Sequence, residues 1–152
     1  MRWSEIGDQH CSIARALSVV GDRWTMLILR EAFMRTRRFE DLQARTGAPR
    51  PVLAERLKTL VKHGILERRR YSEHPDRYEY RLSPKGLDLY PVIVSLLRWG
   101  DRWMDAGEEP PVQLRHRECG TVMHPELACP ACGEWVGARD VEAVPAGASP
   151  RG

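Results

Sequence analysis

"RRFEDLQARTGAPRPVLAERLKTLVKHG", residues 37–64, holds two helical patterns on either side of a glycine. In the first, Phe39 and Leu42 form the inward side, and Gly47 stands where a helix closes in the left-handed region. In the second, Leu53, Leu57, Leu60 and Val61 recur at i, i+4, i+7 and i+8, which lines one helical face with apolar side chains. Pro51, Glu55, Lys58, Thr59 and Lys62 fall on the opposite side, and His63-Gly64 ends the run. Two short helices about a glycine turn form a helix-turn-helix, whose second helix is shaped to enter a major groove.

The flanks extend this reading. Upstream, "SIARALSVV" (12–20) puts Ile13, Ala14, Leu17 and Val20 on one face and stops at Gly21. Asp22 is a good N-cap for "DRWTMLILREAF", with Trp24, Leu27, Ile28 and either Ala32 or Met34 turned inward. Downstream, "ILERRRYS" and "RYEYRLS" flank "EHPD" and predict a hairpin, with Tyr78, Tyr80 and Leu82 on one face of its second strand. Ser83-Pro84 then opens a helix expected to run to about Asp105 with a kink at Pro91. The expected fold is mainly α with a small β-hairpin wing: a winged helix-turn-helix.

The helix over 84–105 also predicts a partner. Asp88, Ser95, Arg98, Arg102 and Asp105 share one narrow polar sector. The remaining arc carries Leu87, Leu89, Tyr90, Ile93, Val94, Leu96, Leu97 and Trp103, with Gly100 near its centre. An apolar arc wider than half the circle exceeds what one small domain covers, so a homodimer through the terminal helices is expected.

Charge is distributed unevenly. Residues 30–85 hold 15 Lys and Arg against 8 Asp and Glu, whereas residues 106–152 hold 4 against 7. A clustered basic excess suits a polyanionic partner. No apolar run of about 18 residues occurs and the start "MRWSEIGDQHCS" has no hydrophobic stretch, so a cytoplasmic protein without a membrane span is expected. No Ser/His/Asp grouping, phosphate loop or supported carboxylate pair is present, and an enzyme is not indicated. Domain limits are expected at 1–106 for the DNA-binding and dimerisation domain, 107–114 for a linker, 115–141 for a Cys/His module and 142–152 for a disordered tail.

"CSIARALSVVGDRWTMLILREAF", "RRFEDLQ", "VLAERLKTLVKHGILERR" and "YEYRLSPKG" together resemble the HxlR-type transcriptional regulators, relatives of the MarR winged-helix group. The likeness covers about residues 10–104. It implies a homodimeric, sequence-specific DNA-binding regulator, usually acting near its own or an adjacent gene. Repression is the expected direction, and a two-fold dimer, with two recognition helices about one DNA turn apart, predicts an inverted-repeat operator. An unidentified effector, a small molecule or an oxidant, is a further candidate partner. Cys11 matches a position where related regulators place a thiol sensor, and a helix N-terminus lowers a thiol pKa. One departure stands out: Ala48-Pro49-Arg50-Pro51 replaces the Ser or Thr that often caps the recognition helix.

Phosphate contacts supply affinity and base contacts supply selectivity. Arg37, Arg38 and Arg77 are assigned to phosphate or the minor groove. Arg50, Pro51, Glu55 and Lys58 are assigned to the groove-facing side of the recognition helix, where an arginine reads guanine O6/N7 and a glutamate accepts from a cytosine amine. Trp24, Trp99 and Trp103 are either lining for an effector cavity or simple core.

Near the end, "RHRECGTVMHPELACPACG" (115–133) pairs His116 with Cys119 and Cys129 with Cys132, nine residues apart, each pair followed by a glycine. This has the form of a zinc ribbon with one Cys replaced by His, a closed tetrahedral set suited to structural zinc. His124 competes for the fourth place. A metal-free hairpin and a redox-active Cys129/Cys132 pair remain open, so the alternative functions are a zinc-ribbon adaptor for proteins or a thiol redox protein.

Overall fold

The structure, a computed structural model, describes residues 3–104 and 107–147. The expected helix end at Asp105 and residues 148–152 of the expected tail lie outside the described residues. The chain divides into two compact units, Met1–Leu97 and Arg98–Gly152. Among the described residues no helix is long and apolar enough to cross a membrane.

After a 3-10 turn at Trp3–Asp8, the first unit runs α1 (Ser12–Val20), α2 (Arg23–Phe33), α3 (Phe39–Thr46), α4 (Arg50–Lys62), β1 (Leu66–Glu73), β2 (Asp76–Leu82) and α5 (Pro84–Leu87). Helix α6 (Tyr90–Trp103) follows. This is a winged helix-turn-helix, mainly helical with one antiparallel hairpin. Its core is Val20, Ile28, Leu29, Leu42, Ala48, Leu53, Leu57, Leu60, Ile65 and Leu66, so every element from α1 to β1 contributes. Leu53, Leu57 and Leu60 are fully buried, and truncating any of them to Ala costs about 2–5 kcal/mol.

Polar contacts hold the elements in place. Asp22 caps α2 by accepting from the backbone N–H groups of Trp24 and Thr25. Gly47 closes α3 at φ +71°, its N–H donating to the Gln43 carbonyl. The buried Glu31 carboxylate accepts from Arg30 Nε and Thr36 Oγ1 and lies 3.8 Å from Arg45 of α3, fastening α2 to α3. The wing is attached at its base, where the buried Ser83 hydroxyl donates to the Gly64 and Ile65 carbonyls and accepts from Gly86 N–H. Lys85 Nζ donates to the His63 carbonyl at the end of α4.

Three expectations need correction. The expected helix over 84–105 is two helices, with a break at Asp88-Leu89. Leu89 N–H donates to the Gly86 carbonyl in a tight turn, and Pro91 has no N–H with which to continue the ladder, so it sits in the first turn of α6 instead of kinking a continuous rod. The hairpin strands extend to Glu73 and Asp76, so only His74-Pro75 link them, and Tyr71 bulges between the Arg70–Tyr78 and Ser72–Arg77 pairs. Of the face expected inward on α1, Ala14 and Val20 are buried whereas Ile13 and Leu17 are exposed. On α2, the alternative left between Ala32 and Met34 resolves to Ala32, which packs on the core, while Met34 is exposed.

The second unit contains the short pair β3 (Leu114–Arg115) and β4 (Val122–Met123), and an isolated bridge between Ala128 and Trp135. Residues 141–145 have no regular structure.

Candidate nucleic-acid interface

The α3–Gly47–α4 turn determines which way α4 faces. Thr46 Oγ1 donates to the Leu42 carbonyl and accepts from Ala48 N–H, while the Ala48 side chain is buried beneath the turn. Pro49 occupies the N-cap of α4 and makes no side-chain cap, with a second proline in the first turn. The missing Ser or Thr cap is thus replaced by backbone pre-set through proline φ. With Leu53, Leu57 and Leu60 inward, Arg50, Pro51, Ala54, Glu55, Lys58 and Lys62 stand exposed.

These side chains differ in how they are held. Arg50 Nη1 lies 3.2 Å from both carboxylate oxygens of Glu40, and its guanidinium stacks 4.7 Å from the Phe39 ring centroid. Phe39 is therefore half-buried under an arginine, not enclosed in the core. Arg56, on the flank of α4, donates through Nε to Asp22 Oδ1 at 3.0 Å. Burial pushes the Asp22 carboxyl up, but the Arg56 hydrogen bond and charge and the Thr25 and Trp24 N–H groups outweigh it and hold it below its usual value. The cap of α2 and the orientation of α4 thus share one carboxylate. Lys58 and Glu55 project outward, with Glu55 3.6 Å from Arg56.

The wing and the loop before α3 lie in the same unit. Tyr80 N–H donates to the Arg37 carbonyl, which ties that loop to β2. Arg38 stacks 4.8 Å from the bulged Tyr71 ring, and Arg68 lies 3.6 Å from that of Tyr78. Arg69 pairs with Glu67, Arg70 with Asp76 and Glu73, and Arg81 with Glu79. Arg77 is exposed at the start of β2 opposite Ser72.

The sequence reading missed the Asp22–Arg56 pair, because 34 residues separate the partners and no periodicity connects them. It missed Tyr71 because alternation assigns a residue to a face only where no bulge interrupts the register.

Apolar side chains also remain open. Ile13 and Leu17 on α1, Leu87 on α5, and Tyr90, Val92, Leu96, Trp99 and Trp103 on α6 are exposed, as is Met104 just beyond. Trp99 and Trp103 are therefore neither core nor the lining of an enclosed cavity within one chain. Cys11 is exposed at the N-cap of α1, where its side chain makes no cap hydrogen bond.

In the second unit His116 Nδ1 lies 3.2 Å from Cys119 Sγ, which is 3.3 Å from the Thr121 hydroxyl. Thr121, first through its hydroxyl and then its backbone, and His116 hold the Cys119 thiol down to about 7. The Cys132 and Ala131 backbone groups likewise lower Cys129. Among the described residues no three His, Cys, Asp or Glu side chains gather as a ready metal site. The sequence-predicted ligands are brought together as pairs, not as four.

A family model for the HxlR-like helix-turn-helix matches residues 19–108. An HTH-type transcriptional regulator of Mycobacterium tuberculosis strain H37Rv, Rv3095, is 49% identical over 134 residues, covering 88% of this chain and 85% of that protein. Among solved structures, PA1607, a candidate transcription factor, is 33% identical with a TM-score of 0.81, covering 94% of this chain and 99% of that one. The reduced form of the transcriptional regulator YodB from Bacillus subtilis is 31% identical with a TM-score of 0.53, covering 66% of this chain and all of that one. A match of 134 residues does not fit within the first 97, so the likeness to Rv3095 reaches into the second unit.

Proposed function

The chain belongs to the HxlR-like helix-turn-helix family and is a transcriptional regulator with a helix-turn-helix DNA-binding domain; on that premise we propose that two copies act together as a repressor on an inverted-repeat operator. Each α4 enters a major groove, and the two-fold axis spaces the two helices by about one DNA turn, roughly 34 Å. Arg50 reads guanine O6/N7, exchanging the Glu40 carboxylate for a base edge, and Lys58 reaches the groove beside it. Glu55 accepts from a cytosine amine. Arg37, Arg38 and Arg77 neutralise phosphates from the loop before α3 and from the wing.

The observation that carries this reading is the division of α4: three fully buried leucines on one side, and Arg50, Glu55 and Lys58 exposed on the other. The exposed apolar residues of α1, α5 and α6 support the homodimer, since a monomer would leave them in water. Footprinting on the DNA around the protein's own gene tests the proposal. Protection of two half-sites one turn apart is expected, with affinity falling steeply as salt rises. Absence of protection on every such fragment, even at low salt, would remove it.

A further inference from the structure

The second unit poses a folding problem that the DNA-binding role does not address. Not one described residue from 98 to 147 is fully buried, and Val112, Val122, Leu127, Trp135 and Val141 are exposed. A segment of this size without a core needs another source of order, such as a metal. Its sequence supplies three thiols and two imidazoles, His116 and His124.

The backbone around those groups repeats. At the first pair, His116 N–H donates to the Thr121 carbonyl and Gly120 N–H returns to the His116 carbonyl. At the second, Cys129 N–H donates to the Glu134 carbonyl and Gly133 N–H returns to the Cys129 carbonyl. The i to i+5 and i+4 to i hydrogen bonds are the same in both turns. Gly120 has φ +74° and Gly133 φ +77°, left-handed values that favour glycine. Two turns thirteen residues apart with one hydrogen-bond pattern make one device used twice. In each, the first and fourth residues carry the metal-binding side chains: His116 and Cys119, Cys129 and Cys132.

The first pair has the spacing of two ligands on one ion. Zn–N and Zn–S bonds at a tetrahedral angle place the two donor atoms about 3.6 Å apart. His116 Nδ1 and Cys119 Sγ are 3.2 Å apart.

We infer that His116, Cys119, Cys129 and Cys132 close on a single zinc ion, drawing the two turns together into one tetrahedral site that orders the second unit. Three soft thiolates and an imidazole favour zinc over hard cations such as magnesium and calcium. The thiols lose their protons to solvent on binding. Four protein ligands leave no place for a reactive water, so the site is structural.

The test uses the full chain, purified under reducing conditions, incubated with zinc sulfate and dialysed. Elemental analysis is expected to find one zinc per chain, and cobalt(II) in its place to give the visible spectrum of a tetrahedral thiolate complex. Cys119→Ser, Cys132→Ser and His116→Ala should each weaken zinc binding by more than about 100-fold in competition with a chelating dye, whereas His124→Ala should leave it unchanged. Helical circular dichroism of each variant verifies that the winged unit remains folded. Substoichiometric zinc in the reduced full chain overturns the inference. So does undiminished binding by Cys119→Ser or Cys132→Ser, or loss of zinc in His124→Ala with retention in His116→Ala.

Discussion

Gly86→Ala tests whether the wing is positioned by a single close approach. A Cβ built at Gly86 would lie 2.2 Å from the Ile65 carbonyl oxygen, 3.2 Å from its carbon and 3.0 Å from Leu82 Cδ2. The first two neighbours are backbone, so no rotamer change relieves them. Moving α5 outward by about an ångström clears the overlap but stretches the 3.0 Å bond from Ser83 N–H and the 3.1 Å bond from Ser83 Oγ, both to that same carbonyl. Overpacking costs about 1–3 kcal/mol, and each weakened hydrogen bond about 0.5–1.5 kcal/mol. The better helix propensity of alanine offsets roughly 1 kcal/mol of this. The net expectation is a loss of about 1–5 kcal/mol, centred on roughly 3, read as a urea midpoint lower by roughly 1–2 M at the centre of that range and at unchanged slope. Protomer concentration is held fixed, because a dimer's apparent stability depends on it. Ile65 leads from α4 into β1, so operator affinity should fall as well. Gly47→Ala is the comparison: nothing lies within 4 Å of its added Cβ, and only the cost of φ +71°, roughly 1 kcal/mol, is expected. An unchanged or raised midpoint for Gly86→Ala would refute the close-approach argument.

Arg50→Ala should weaken operator binding by about 1–3 kcal/mol and relax selectivity at one base position, checked by fluorescence anisotropy on a panel of single-base variants; equal affinity across the panel would take Arg50 off the base-reading face. Arg77→Ala should weaken binding uniformly across sequences and reduce the salt slope by about 1 for each phosphate no longer neutralised, seen in titrations over a range of potassium chloride; an unchanged slope would place Arg77 away from phosphate. The Asp22 carboxyl is held below its ordinary 3.8, so its contribution to stability is complete above that value and fades as pH falls through the lowered native one. Asp22→Asn, which keeps a competent cap but loses the charge, should therefore be less stable than the parent near neutrality and converge with it in acid; a constant gap in urea melts down to low pH would contradict the linkage. Leu96→Glu puts a charge on an exposed apolar position of α6 and should convert the proposed dimer to monomers in light scattering, with loss of operator binding; a dimer mass unchanged from the parent would place the seam elsewhere.

The parts of the fold legible in the sequence are those whose signal is local. The spacing of Leu53, Leu57 and Leu60, the stop at Gly47, the cap at Asp22 and the Ser83-Pro84 helix start each depend on a few neighbouring residues, and each is present in the structure. What escaped depends on distant backbone. The close approach of Gly86 to the Ile65 carbonyl joins residues 21 positions apart, which no local window contains. Ile13 and Leu17 obey the same periodicity as Ala14 and Val20, yet one chain covers only the latter two, because periodicity marks an apolar face without saying what meets it. At the interface, residue type and helix face located Arg50, Glu55 and Lys58 on the outside of α4, but the Glu40 carboxylate and Phe39 ring that hold Arg50 were not visible in spacing.

The structure also relocates the charge that suggested DNA. Within the hairpin, residues 66–82, five arginines face four acidic residues. Arg69 and Arg81 are each engaged with one of those carboxylates and Arg70 with two, so the wing brings little net charge to a phosphate backbone. Residues 30–65 instead hold nine basic against four acidic residues. There, too, several cations are occupied: Arg30 and Arg45 face the buried Glu31, and Arg56 is bound to Asp22. Such pairs hold α2, α3 and α4 together and are costly to exchange for DNA, because each would strand a partly buried carboxylate. Arg50 differs, since its partner Glu40 is exposed and loses little when water replaces the guanidinium. Lys58, Lys62 and Arg77 form no ion pair among the described residues, and Arg38 is held only by an aromatic ring that leaves its charge available. The cations able to meet a duplex without dismantling the fold thus include those on the outer side of α4, at the start of α3 and at the start of β2, together with Arg68, which like Arg38 is held only by an aromatic ring. On the proposed reading, electrostatic attraction and groove reading would fall on the same surface, with the wing contributing Arg77 and the Tyr71 that supports Arg38.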